Sequence, residues 1–171
     1  VQGIKVFDGT FLGIQVKGRN SIIQNNTVSR IALDGGATSY TALRYGMDLM
    51  GEALHVVGNR IIDVQIKSSD SNANAWGIYV HDAAGSIIEK NKVSNTSASF
   101  VSQSSNQVKI AIVVEDSPNM IAEENHCTGF QLGIVKENCG DGVYRRNVVN
   151  GNSGGAYLVL GSAVTDGGNN N

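Results

Sequence analysis

The feature that most constrains this chain is a recurring unit. Its opening small residue and its closing asparagine stay 13 or 14 residues apart through five copies. Gly13-Ile14-Gln15-Val16 leads to Ile22-Ile23 and then Asn26-Thr27-Val28, and Gly46-Met47-Asp48-Leu49 leads to Val56-Val57 and Asn59-Arg60-Ile61. Gly77-Ile78-Tyr79-Val80 leads to Ile87-Ile88 and Asn91-Lys92-Val93. Ala111-Ile112-Val113-Val114 leads to Met120-Ile121 and Asn125-His126-Cys127, and Gly133-Ile134 leads to Val143-Tyr144 and Asn147-Val148-Val149. A worn sixth copy begins at Gly155.

Alternating aliphatics indicate short strands with one buried face, and β-branched residues at period two argue against helix. Three short strands per unit, separated by turns, describe one coil of a triangular solenoid. Such a coil buries its apolar side only by stacking on its neighbours. Strands stacked in this way run parallel, about 4.8 Å apart. Asn26, Asn59, Asn91, Asn125 and Asn147 all fall at the bend between the second and third strands. The expectation there is a left-handed backbone at the asparagine and an amide ladder from coil to coil.

Composition agrees. One proline and 21 glycines suit a chain of many tight turns. A net charge of −2 argues against a nucleic-acid backbone binder. No apolar run has the length of a membrane span. Cys127 and Cys139 lack metal-ligand spacing. They read either as buried apolar residues or as a pair joined across neighbouring coils.

These units resemble those of right-handed parallel β-helix proteins of the pectate-lyase-like type, a group with polysaccharide lyases, polygalacturonases, mannuronan epimerases and phage tailspikes. The resemblance covers nearly the whole chain. It implies an all-β fold, a right-handed parallel β-helix with three-strand coils of about 22 residues and about six coils. Residues 1–171 read as one β-helix domain, expected to be a fragment of a longer protein. Val1–Phe7 resembles the third strand of a further coil, and no capping helix is visible at either end. The resemblance also implies an extracellular, cell-surface or virion location.

Successive openings are 33, 31 and 34 residues apart, then 22 and 22. Three consecutive coils therefore carry about ten extra residues each at one corner, in segments 32–45, 65–76 and 96–109. Long loops in a compact fold are usually functional or disordered, and the Ser/Asn-rich run 68–72 fits either.

Beside those loops, the residues second and fourth after the opening glycine should point outward. They are Gln15 and Lys17, Asp48 and Met50, Tyr79 and His81, Val113 and Glu115, then Val135 and Glu137. Asp48, Tyr79, His81 and Glu115 are the candidate catalytic set. Histidine serves as a general base and tyrosine protonates a leaving group. Lys17, Arg44, Tyr45, Trp76 and Lys109 are the candidate substrate contacts. A cation would neutralise a uronate carboxylate, and Trp76 would either stack on a sugar or anchor its loop. Asp48 with Glu115 is the pair available for hydrolysis, although wide for it. Glu115, Asp116 and Asp82 lack calcium-ligand spacing, so no cofactor is expected.

Tyr45-Gly46-Met47-Asp48-Leu49-Met50 resembles the active-site strand of mannuronan epimerases, which reads Tyr-Gly-Phe-Asp-Pro-His. Tyr45, Gly46 and Asp48 match. Met50 stands at the histidine position, and His81 occupies the equivalent place one coil later. Two functional classes remain open. One is an enzyme on an acidic polysaccharide, by lyase, epimerase or glycoside hydrolase chemistry. The other is a non-catalytic structural or glycan-binding segment of a tailspike or surface adhesin. Expected partners are a polysaccharide and, for the second class, a homotrimer or flanking domains.

Overall fold

The structure is a computed structural model, and it describes residues 1–31, 43–65, 74–96, 108–151, 154–161, 165–168 and 170. Most of the three long insertions lies outside the described residues. Among the described residues all assigned helical or strand structure is β-strand. The first strand is β1 (Lys5–Phe7), followed by β2 (Leu12–Lys17), β3 (Ile22–Gln24) and β4 (Thr27–Ile31) in the first full coil. The next coils are β5 (Leu43–Met50), β6 (His55–Val57) and β7 (Arg60–Val64), then β8 (Asn74–His81), β9 (Ile87–Glu89) and β10 (Lys92–Ser94). They continue with β11 (Val108–Glu115), β12 (Ile121–Glu123) and β13 (His126–Thr128), then β14 (Leu132–Glu137), β15 (Val143–Arg145) and β16 (Val148–Asn150). β17 (Gly155–Leu160) and β18 (Thr165–Asp166) form a partial last coil.

These strands build three six-stranded parallel sheets. Their orders are β2-β5-β8-β11-β14-β17, β3-β6-β9-β12-β15-β18 and β1-β4-β7-β10-β13-β16. The expected stack of three-strand coils is therefore what the chain forms. The lumen is lined by the aliphatics that the repeat marked. Met47, Leu49, Ile78, Val80, Ile112, Val114 and Ile134 are fully buried, as are Ile23, Val56, Ile88, Val28, Ile61 and Val93 on the other two sides. The opening glycine has a steric cause. A Cβ at Gly77 would lie 2.3 Å from Val93 Cγ1 and 2.5 Å from the Ala111 carbonyl oxygen. No helix among the described residues is long and apolar enough to cross a membrane.

The asparagine ladder forms, and its geometry is regular. Nδ2 of Asn26, Asn59, Asn91 and Asn125 donates to Oδ1 of the next asparagine at 2.9, 3.0, 3.0 and 3.0 Å. Each of those oxygens also accepts the backbone N–H of the asparagine below. The backbone expectation needs correction. The left-handed residue is the one before each asparagine: Asn25, Gly58, Lys90, Glu124 and Arg146, with φ of 53°, 63°, 54°, 54° and 54°. That preceding residue makes the bend and aims the following amide into the corner. A left-handed non-glycine residue costs roughly 1–2 kcal/mol, which the buried amide bonds of the ladder offset.

Two further findings concern the fourth and fifth coils. Lys136 takes the inward position that Leu49, Val80 and Val114 hold elsewhere, and it is fully buried. Its ammonium lies 4.9 Å from the Tyr144 ring centroid and 3.4 Å from the Cys139 carbonyl oxygen. Burial lowers its pKa from the ordinary lysine value. Cys127 and Cys139 are both free and buried, so the coils do not pair them.

Candidate active site on the long-strand sheet

The sheet β2-β5-β8-β11-β14-β17 carries the candidate residues in columns fixed by its register. One column is Gln15, Asp48, Tyr79, Val113, Val135 and Leu158. A second is Lys17, Met50, His81, Glu115, Glu137 and Leu160. A third, not read from the sequence, is Leu12, Tyr45, Trp76, Ile110 and Leu132. Gly46 and Met47 both turn inward, since a Cβ at Gly46 would meet Ile61 Cγ2 at 2.6 Å. This step lets Tyr45 and Asp48, three residues apart, share the outer face.

Asp48 and His81 come together. His81 Nε2 lies 3.1 Å from Asp48 Oδ1, and both side chains are mostly shielded, at 16% and 14% exposure. Gln15 Nε2 donates to the other oxygen, Asp48 Oδ2, at 2.7 Å. His81 Nδ1 faces Asp82 Oδ2 at 3.1 Å, and the Asp82 side chain is 62% exposed. The tyrosine of the set is tied to its last member, because Tyr79 O–H donates to Glu115 Oε2. Burial, and then that hydrogen bond to Glu115, raises the Tyr79 pKa well above the ordinary phenol value. The Tyr79 and His81 rings stack, with centroids 4.4 Å apart and planes 13° from parallel.

The third column adds an aromatic run. Tyr45 stacks on Tyr79 at 5.4 Å, and Trp76 meets both rings edge-on, at 5.6 Å from Tyr45 and 4.7 Å from Tyr79. Burial, then the charges of Asp48 and Glu115, push the Tyr45 phenol up to about 12. Trp76 Nε1–H is buried without a hydrogen-bond partner among the described residues. The only sequence signal for this run was aromatic residues recurring one coil apart.

A cleft of about 180 Å³ opens below the histidine, lined by Gln15, Val16, Lys17, Asp48, Met50 and His81. Ligand pockets usually measure about 300–1,000 Å³, so this one suits a single ring of a longer ligand. Lys17 lines it and makes no ion pair among the described residues. Arg44 and Lys109 do not reach this face. They are 2% and 4% exposed, and the Arg44 guanidinium lies 5.6 Å from the Phe11 ring centroid. Burial lowers the Lys109 pKa. The reason is strand parity, since Arg44 and Lys109 precede the outward residues Tyr45 and Ile110 by one position and share a register row with the core residue Ala75.

Asp48 and Glu115 are not brought together. Two coils separate them, and His81 and Tyr79 occupy their respective oxygens. Among the described residues, no group of three or more His, Cys, Asp or Glu side chains is placed to hold a metal ion.

No curated protein and no solved structure matches this sequence. A family model does, described as the right handed beta helix region, and the match runs over residues 1–171. With its three parallel sheets and its laddered coils, the chain belongs to the right-handed β-helix family.

Proposed function

We propose that the protein acts on a polysaccharide, and that its chemistry is β-elimination at a uronate residue. One observation carries this reading: the Asp48–His81 contact of 3.1 Å, with Tyr79 stacked at 4.4 Å on the same imidazole beside an open cleft. Asp48, anchored by Gln15, holds one ring nitrogen and leaves Nδ1 toward the exposed Asp82, a contact that substrate can displace. His81 then takes the proton from the carbon next to the uronate carboxylate. The electron pair forms the new double bond, the glycosidic C–O bond breaks, and the leaving oxygen takes the Tyr79 proton after the hydroxyl turns from Glu115 Oε2 toward the substrate. Lys17 pairs with the carboxylate and makes that C–H more acidic.

The side-by-side rings favour elimination over epimerisation. Base and acid on one strand approach the same face of a sugar, which suits a syn elimination. Inversion at carbon needs a proton delivered to the opposite face. Hydrolysis is disfavoured because Asp48 and Glu115 are two coils apart, on the order of 10 Å along the stack.

The test is mass spectrometry of acidic and neutral polysaccharides incubated with the protein in heavy water. Shortened chains with unsaturated ends support the reading. Shortened chains with added water mean hydrolysis, and deuterium uptake without cleavage means epimerisation. The aromatic run of Tyr45, Trp76 and Tyr79 favours a second reading, a glycan-binding surface without catalysis. Retained binding with no product would select it.

A further inference from the structure

The outer column of the long-strand sheet is ordered by charge. Lys17 stands at the first coil, His81 at the third, Glu115 at the fourth and Glu137 at the fifth, all in one register line. From Lys17 to Glu137 is four coil steps of about 4.8 Å, or roughly 19 Å. Lys17 is exposed and Glu115 and Glu137 are partly exposed, and none of them joins an ion pair among the described residues. Glu115 and Glu137 sit directly opposite each other, where like charges repel. The adjacent column runs from Gln15 and Asp48 to Val113 and Val135, both 4% exposed, and Asp48, the carboxylate at the Lys17 end, is engaged by Gln15 and His81. The cleft lies at the Lys17 end.

We propose that this series makes the face polar along the helix axis, so that it selects a glycan of mixed charge. A carboxylate-bearing sugar sits in the cleft at Lys17, and uncharged or amino sugars lie over Glu115 and Glu137. The inference rests on the glycan reading above and refines its substrate class. A homopolymer of uronates would place a carboxylate against Glu115 or Glu137 whenever it fills the cleft. A chain alternating uronate with a neutral or amino sugar avoids this. Glu115 is also engaged by Tyr79, so Glu137 is the cleaner determinant.

The experiment is calorimetric binding of three size-matched oligosaccharides: all-uronate, uronate alternating with neutral hexose, and all-neutral. It uses the full chain and its Lys17→Gln and Glu137→Gln variants, each checked for β-structure by circular dichroism. The mixed oligomer is expected to bind tightest. Lys17→Gln should weaken it roughly threefold to fivefold, the scale of one exposed ion pair, and should weaken the neutral oligomer less. Glu137→Gln should strengthen the all-uronate oligomer by a similar factor and leave the neutral one unchanged. All-uronate binding as tight as mixed in the unaltered protein, with no gain in Glu137→Gln, would overturn the polarity while sparing the glycan reading. Binding of none of the three would overturn the glycan reading itself, and the polarity with it.

Discussion

Replacing Asn91 with alanine is expected to remove a large part of the stability of this fold. Asn91 sits in the middle of the ladder and is 1% exposed. Its Oδ1 accepts from Asn59 N and Asn59 Nδ2, both at 3.0 Å. Its Nδ2 donates to Val56 O at 2.9 Å and to Asn125 Oδ1 at 3.0 Å. Alanine strands two buried donors on Asn59. A stranded buried group costs about 1–3 kcal/mol, so the loss is about 2–6 kcal/mol. That compares with a total of about 5–15 kcal/mol for a typical domain. Asn26→Ala supplies an internal contrast. Its Oδ1 accepts from Ile4 N at 2.9 Å, and Ile4 is 46% exposed, so water replaces the lost acceptor. The cost there should stay below about 1 kcal/mol. Urea unfolding measures both, followed by the fluorescence of Trp76, the one tryptophan in the sequence. Equal losses at the two positions, or a loss under about 1 kcal/mol at Asn91, would refute the idea that buried amide satisfaction holds the coils together.

Tyr79→Phe keeps the stack on His81 and removes the proton donor. It should lower any lyase rate by about 10²–10⁴-fold, measured by the growth of unsaturated ends, and an unchanged rate would take Tyr79 out of the chemistry. Lys136→Met should stabilise the fold by about 1–3 kcal/mol in urea unfolding, because it removes a buried amine with one long hydrogen bond. Lys136 has a folded pKa below its unfolded value, so the unfolded chain holds the extra proton and the penalty is full below the folded pKa. Stability should therefore rise with pH through the folded pKa up to about 10.4, and Lys136→Met should remove that slope. Thiol titration should find no accessible cysteine in the native protein and both on unfolding, and a mass deficit of a disulfide would contradict this.

Much of the architecture was legible because it is local and periodic. The spacing from opening glycine to asparagine set the coil, the alternation set which side chains turn inward, and stacking in register follows from burying the same face every time. The alignment of Asp48 with Tyr79 and of Met50 with His81 came from that register. Single departures from the pattern were not legible. Lys136 was hidden because its position is defined by parity rather than by residue type. Arg44 and Lys109 read as surface cations for the same reason, one step out of phase with the outer face. The residue bearing the left-handed bend was displaced by one, because Lys90, Glu124 and Arg146 carry no mark of that conformation.

The sequence by itself determined the coil, its length, its inward face and the corner where the asparagines ladder, since each depends on residues close along the chain. Only the tertiary structure decided the chemistry of the face. Whether Asp48 meets His81, whether Tyr79 spends its hydroxyl on Glu115, and whether a cation is exposed like Lys17 or buried like Lys109 are all contacts between coils. Residues about 33 apart become neighbours there only when the stack closes, and a few ångströms of side-chain placement then decide which groups can reach a substrate.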